Sequence, residues 1–189
     1  MHTKTRRVVL DALFTAIALT LFLVELQIPS VVPIPGVKLG LANVVTVVAL
    51  CLLSPADALA ILFVRILLGA VFGGNMMALW YSAVGGALCY LAMFFLRKIV
   101  TERQIWALSA VGAIAHNVGQ MAVALAVTQT KELLVYLPVL MISGTLAGIF
   151  TGLAAQFLIG RLKPILPRLA GQTPAKPRGE QDHESSTDR

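Results

Sequence analysis

The chain has 189 residues, of which 58% are hydrophobic and only 13% are charged, and its mean hydropathy is +0.84. Soluble globular domains have about 45–50% apolar and roughly 25% charged residues, so this composition argues against a soluble enzyme, a disordered protein and a nucleic-acid-binding domain. The net charge of +6 is informative through the positions of the cations, because in membrane proteins they mark one side of the bilayer.

Six apolar segments follow one another along the chain, and a spanning helix needs about 20 such residues. They cover residues 8–26, 39–53, 57–72, 76–96, 104–127 and 132–160. The second and third are short, so each can be tilted, re-entrant or extended by loop residues. The first follows Lys4, Arg6 and Arg7 like a signal peptide, but no small-x-small cleavage site follows it. We therefore expect a retained helix and an all-α membrane protein with six transmembrane helices.

Lysine and arginine are unevenly distributed among the connections between these segments. With the N-terminus in the cytoplasm, twelve lie inside, only Lys38 and Lys131 lie outside, and Arg65 falls within the third span. This imbalance predicts that both termini are cytoplasmic and that the number of spans is even. Residues 166–189 are polar and of mixed charge, which predicts a disordered cytoplasmic tail after a membrane domain at 1–165.

Small residues mark surfaces where helices can approach closely. Three glycines form a stripe on the sixth helix: Gly144, Gly148 and Gly152. We interpret this stripe as packing inside the bundle. For the smaller stripe of Ala12 and Ala16 on the first helix, packing inside the bundle and contact with a separate subunit both stay open. Cys51 and Cys89 lie in apolar runs and are interpreted as packing residues.

The polar residues of the spans fall in the outer half of the bundle when depth is counted at about 1.5 Å per residue. They come from five helices and adjoining loops: Glu25, Lys38, Asn43, Arg65, Asn75, Trp80, Tyr81, His116, Asn117 and Gln120. Such groups are costly in a membrane and usually face a cavity or a partner. A channel would need a polar path through both halves, so the pattern instead predicts a binding site that opens outward. Because Arg65 suits a carboxylate or phosphate, we expect a small anionic or amphiphilic ligand.

Each of these residues also has a structural interpretation. Arg65 can pair with Glu25 or cap helix carbonyls, and His116 can be a packing histidine. The aromatic pair on the fourth helix is also typical of the membrane-interface belt, and the two amides on the fifth helix can bond across helices. Since the membrane region holds a single histidine, we expect no metal site and no cofactor.

The loop between the first two helices is apolar and rich in proline. Pro29, Pro33 and Pro35 oppose regular helix, whereas Gly36 and Gly40 permit tight turns. We therefore expect this loop to fold against the bundle as a lid over the outward site.

The runs PGVKLGLANVV at 35–45 and HNVGQ at 116–120, together with the arginine-bearing third span, resemble the Gx transporter family. That family is also labelled heptaprenyl diphosphate synthase component I, and the resemblance covers about residues 7–163. The family is similar to the substrate-binding S components of energy-coupling-factor transporters. The resemblance implies an S-component-like six-helix bundle in the bacterial cytoplasmic membrane. It also implies a membrane coupling subunit and two cytoplasmic ATPases as partners, with Ala12 and Ala16 contacting the coupling subunit.

Neither synthase nor ATPase chemistry is supported by the acidic residues or the glycine pattern. The four aspartates are not adjacent to one another, so no DDxxD run is present to hold magnesium diphosphate, and there is no phosphate-binding P-loop. We therefore expect no enzyme activity and favour a substrate-binding subunit of an uptake transporter. A membrane accessory to prenyl diphosphate or quinone synthesis is the alternative, and a structural membrane scaffold is a third hypothesis.

Overall fold

The computed structural model describes residues 2–27, 40–74 and 76–165, and within these ranges the chain forms helices and no strands. The helices are α1 (His2–Gln27), α2 (Asn43–Leu52), α3 (Pro55–Phe72), α4 (Met76–Leu96), α5 (Ile105–Thr128) and α6 (Leu137–Leu162), with short 3₁₀ helices at Glu102–Gln104 and Lys131–Tyr136. Five of these described helices are long and apolar enough to cross a membrane. The prediction of an all-α, multi-pass membrane fold is therefore confirmed. Most of the predicted lid (28–39) and the predicted tail (166–189) lie outside the described residues, as do Lys38 and Asn75.

The second helix is shorter than the span predicted for it. Ten residues rise about 15 Å, roughly half of the 30 Å hydrocarbon core, so α2 cannot cross a bilayer as a helix. Instead it lies centrally: it contacts each of the other five α-helices described above, and seven of its ten residues are buried. Val47, Val48 and Ala49 are completely enclosed. Its β-branched, apolar sequence therefore serves as the core around which the longer helices pack.

Charged residues tie the helices together at one end of the bundle, which we call the basic end. There α1, α3 and α5 begin, and α2, α4 and α6 end. The Arg7 guanidinium donates to the Asp57 carboxylate at 2.6–2.9 Å and to Ser54 Oγ at 2.7 Å, which joins α1 to the start of α3. Lys163 at the end of α6 pairs with Glu102 before α5. That this end faces the cytoplasm stays a prediction of the charge distribution.

The glycine stripe of α6 packs against α5, as predicted. A Cβ built on Gly148 would lie 2.8 Å from Ala110 Cα, and one built on Gly152 would lie 2.5 Å from Trp106 Cα. At these distances only glycine lets the backbones of α5 and α6 approach this closely. The stripe therefore fixes the separation of α5 and α6 inside the bundle.

Candidate binding site

A buried arginine lies just past the middle of α3, in the half of the bundle away from the basic end. Arg65 lies ten residues into α3, about 15 Å from its start, and is only 4% exposed. Its Nε and Nη2 atoms have no hydrogen-bond partner among the described residues. A buried charge is costly unless it is paired, so the surroundings of this guanidinium are the candidate site.

An aromatic ring that sequence reasoning missed supports Arg65. The guanidinium carbon lies 5.8 Å from the centre of the Phe22 ring on α1, within the range of a cation–π interaction. The ring occupies a notch at Gly69, where a Cβ would lie 2.8 Å from Phe22 Cε1. The only sequence signal was the helical spacing, which places Phe22 near the face of Glu25 and Gly69 one turn beyond Arg65.

Glu25 does not form the ion pair with Arg65 that sequence reasoning considered. Its buried carboxylate accepts hydrogen bonds from the backbone N–H groups of Gly40 at 2.5 Å and Leu41 at 3.1 Å. Among the residues that the structure describes, the ion pairs are Arg7–Asp57 and Lys163–Glu102. Glu25 thus holds the chain where it enters α2.

Gly40, whose N–H donates to Glu25, also lies next to α5. Its φ of +78° lies in the left-handed region, and a Cβ there would lie 2.8 Å from Asn43 Nδ2 and 3.7 Å from His116 Cδ2. Asn43 is the first residue of α2 and is 6% exposed. The structure therefore brings Glu25, Asn43 and His116 together around one turn.

His116 and Gln120 share a face of α5, as their spacing predicted. Both are buried, and within the described ranges Gln120 Oε1 has no hydrogen-bond partner. They pack against Gly85 on α4, where a Cβ would lie 3.0 Å from His116 Nδ1 and 3.1 Å from Gln120 Cγ. Arg65 lies near enough to His116 for the two side chains to interact electrostatically.

Gly119 on α5 contacts Gly85 directly, since a Cβ built on Gly119 would lie 2.8 Å from Gly85 Cα. This glycine pair brings α5 close to α4.

Three predicted site residues lie elsewhere. The Asn117 amide nitrogen donates to the Leu140 carbonyl at 2.7 Å, so it ties α5 to α6, which was its structural interpretation. Tyr81 is buried in an apolar cluster that includes Met121 and Leu140. Trp80 is 59% exposed on the outside of the bundle, so the structure does not bring its indole to the polar group. We call the remaining described cluster, Glu25, Asn43, Arg65, His116 and Gln120, the Arg65 site.

The small-residue stripe of α1 faces outward. Ala12 and Ala16 are both exposed, and the adjacent Leu13 and Ile17 are 54% and 45% exposed. Of the two interpretations left open by the sequence, packing inside this bundle does not agree with the structure.

Comparisons with known proteins identify a family. The family model described as heptaprenyl diphosphate synthase component I matches residues 14–158, which is most of the chain. No curated protein and no solved structure matches the chain significantly. In the part of the chain that the structure describes, no group of three or more histidine, cysteine, aspartate or glutamate residues is placed to hold a metal ion.

Proposed function

The chain belongs to the heptaprenyl diphosphate synthase component I family, and we propose that this membrane protein is a binding subunit that captures a small anionic or amphiphilic molecule at the Arg65 site. The observation that carries the proposal is the buried guanidinium of Arg65, with Nε and Nη2 unpartnered among the described residues. These two nitrogens lie on one edge of the guanidinium. Their N–H groups can therefore meet two oxygens of a carboxylate or phosphate in a bidentate pair.

The surroundings of Arg65 suit a ligand that is partly polar. Gln120 Oε1 is a buried atom that lacks a partner within the described part of the chain, and it can accept a hydrogen bond from a ligand. Phe22 supplies an aromatic surface beside the guanidinium. In a site shielded from water, such interactions are stronger than at a surface.

We further propose uptake driven by partner proteins, in the manner of the S components that the sequence resembles. The exposed stripe of Ala12 and Ala16 supports this proposal, because small residues let a second membrane helix approach closely. A membrane coupling subunit would bind this stripe, and two cytoplasmic ATPases would supply the energy.

The family description favours a second candidate function, that of a membrane accessory to heptaprenyl diphosphate synthesis. The two functions differ in what the purified protein does. Capture of a small molecule by the chain alone supports the binding subunit. Prenyl transfer that requires both this chain and a separate catalytic component supports the accessory role.

The proposed binding function is tested by native mass spectrometry of the full chain after gentle detergent extraction, with Arg65→Gln and Arg65→Lys compared with the unchanged protein. Loss of a hydrogen bond to a charged group costs about 1.5–3 kcal/mol, roughly 10-fold to more than 100-fold in affinity. We expect Arg65→Gln to lose the retained ligand and Arg65→Lys, which keeps the charge but not the bidentate geometry, to retain less of it.

Arg161→Gln is the matched control. Arg161 is an exposed arginine at the end of α6 that stacks on Phe157, so its replacement removes one charge away from the site. Thermal unfolding verifies that each variant is folded. Equal ligand retention by folded Arg65→Gln and by Arg161→Gln would contradict the proposal.

A further inference from the structure

A cavity lies at the basic end, away from the Arg65 site along the helix axes. It has a volume of about 400 Å³ and is formed by the ends of α2, α4 and α6 and the start of α5. Ligand pockets commonly measure about 300–1,000 Å³. The floor of the cavity is apolar and buried: Leu50, Ile105, Leu108 and Ile159.

Cations dominate the rim of this cavity. Arg97, Lys98 and Lys163 line it, and Glu102 is the carboxylate among the lining residues described. Glu102 already pairs with Lys163, so the rim carries an excess of positive charge. The same cations lie beyond the ends of the apolar helices, at the level where lipid headgroups meet water.

The Arg97 guanidinium is held in place at the cavity wall. Its Nη1 donates to the Leu50 carbonyl at 3.3 Å, at the end of α2, and its central carbon lies 5.2 Å from the Phe94 ring centre. A guanidinium positioned in this way loses less conformational entropy when it binds an anion. The cavity thus combines a guanidinium held by a hydrogen bond, an exposed lysine and an apolar floor.

We propose that this cavity binds the phosphate group of an anionic ligand. Arg97 and Lys98 contact the phosphate, and where the ligand carries an apolar chain its first carbons lie against Leu50 and Ile159. This site is distinct from the Arg65 site and does not depend on the proposed function. The headgroup of an anionic membrane lipid is one source of such a phosphate, and a soluble phosphate compound is the other.

Cys51 provides a native reporter for this site. It is exposed and lines the cavity, whereas Cys89 is buried. The test measures the rate at which N-ethylmaleimide labels Cys51 in the full chain. The chain is placed in nanodiscs of phosphatidylcholine with or without phosphatidylglycerol, and in phosphatidylcholine nanodiscs with pyrophosphate added. We expect labelling to slow by up to about fivefold when the anionic ligand is present at four times its Kd, since one fifth of the sites then stay empty.

Two variants separate specific binding from a general effect of the charged bilayer. Gly160→Cys in a Cys51→Ala background places a thiol at the same end in open space, because nothing lies within 4 Å of a Cβ there. Its labelling should not change between lipids. Lys98→Gln replaces an exposed lining residue and should reduce the protection of Cys51.

The outcomes identify the source of the headgroup or reject the site. Protection by phosphatidylglycerol supports a lipid, and protection by pyrophosphate in phosphatidylcholine supports a soluble phosphate compound. No protection of Cys51 by either compound would overturn the proposal. Undiminished protection of Cys51 in Lys98→Gln would also overturn it, as would equal protection of the thiol in Gly160→Cys.

Discussion

Gly144→Ala tests whether the glycine stripe of α6 sets the position of α5. A Cβ on Gly144 would lie 2.0 Å from the Asn117 amide nitrogen, which currently donates to the Leu140 carbonyl at 2.7 Å. The new methyl group must displace this amide or separate the helices. We therefore expect the variant to unfold at a lower denaturant concentration.

Three contributions determine the expected change in the free energy of unfolding. Leaving the buried amide unsatisfied costs about 1–3 kcal/mol, and crowding in a packed core costs about 1–3 kcal/mol. Alanine is favoured over glycine within a helix by about 1 kcal/mol. The free energy of unfolding should therefore fall by about 1–5 kcal/mol overall.

Gly160→Ala is the matched control on the same helix, because its added Cβ meets no atom within 4 Å. It should be neutral or stabilise by up to about 1 kcal/mol through helix propensity. Both variants are compared by reversible denaturing-detergent titration followed by circular dichroism. Equal unfolding midpoints for Gly144→Ala and Gly160→Ala would refute the inference that Gly144 is a packing contact.

Three further substitutions test other parts of the structure. Gly40→Ala should destabilise the protein by at least about 1–2 kcal/mol in the same titration. The reason is that the φ of Gly40 is +78° and the added Cβ would lie 2.8 Å from Asn43 Nδ2. An unchanged unfolding midpoint would contradict this turn geometry. Ser54→Ala removes the acceptor for the Asp57 N–H at the start of α3 and should cost about 1 kcal/mol, so a neutral result would show that the cap adds no stability. Ala16→Leu changes an exposed residue, so the free energy of unfolding should change by less than about 0.5 kcal/mol. The variant should nevertheless fail to co-purify with a coupling subunit. Normal assembly would contradict the proposed partner surface.

Helix positions were largely predictable from the sequence because they depend on local composition. The fourth span was predicted at 76–96, which are the bounds of α4, and the third differs from α3 by two residues at its start. The same holds for side chains on one helix: i, i+4 spacing was sufficient to place His116 and Gln120 on one face, and Gly148 and Gly152 in one packing stripe.

The identity of contacts between helices was decided by the tertiary structure. Apolar composition predicted a second span, but only the arrangement of its neighbours reveals a ten-residue helix at the centre of the bundle. Charge alone made Glu25 a plausible partner for Arg65, yet the backbone amides of Gly40 and Leu41 reach the carboxylate instead. Hydropathy did not distinguish the exposed Trp80 from the buried Tyr81, since adjacent residues on a helix point about 100° apart.

At the two ends of the bundle, the kind of residue present was predictable from the sequence, whereas the contacts of those residues were not. The sequence by itself determined that polar groups concentrate toward one end of the spans and cations toward the other, because depth follows from counting residues along each helix. It did not determine that Arg65 keeps two unpartnered nitrogens among the described residues, or that Arg97 and Lys98 line a cavity. Those properties depend on how each helix is rotated about its axis and which neighbour it faces. Rotation and neighbours are set by packing between segments distant in the chain, such as Gly85 against Gly119.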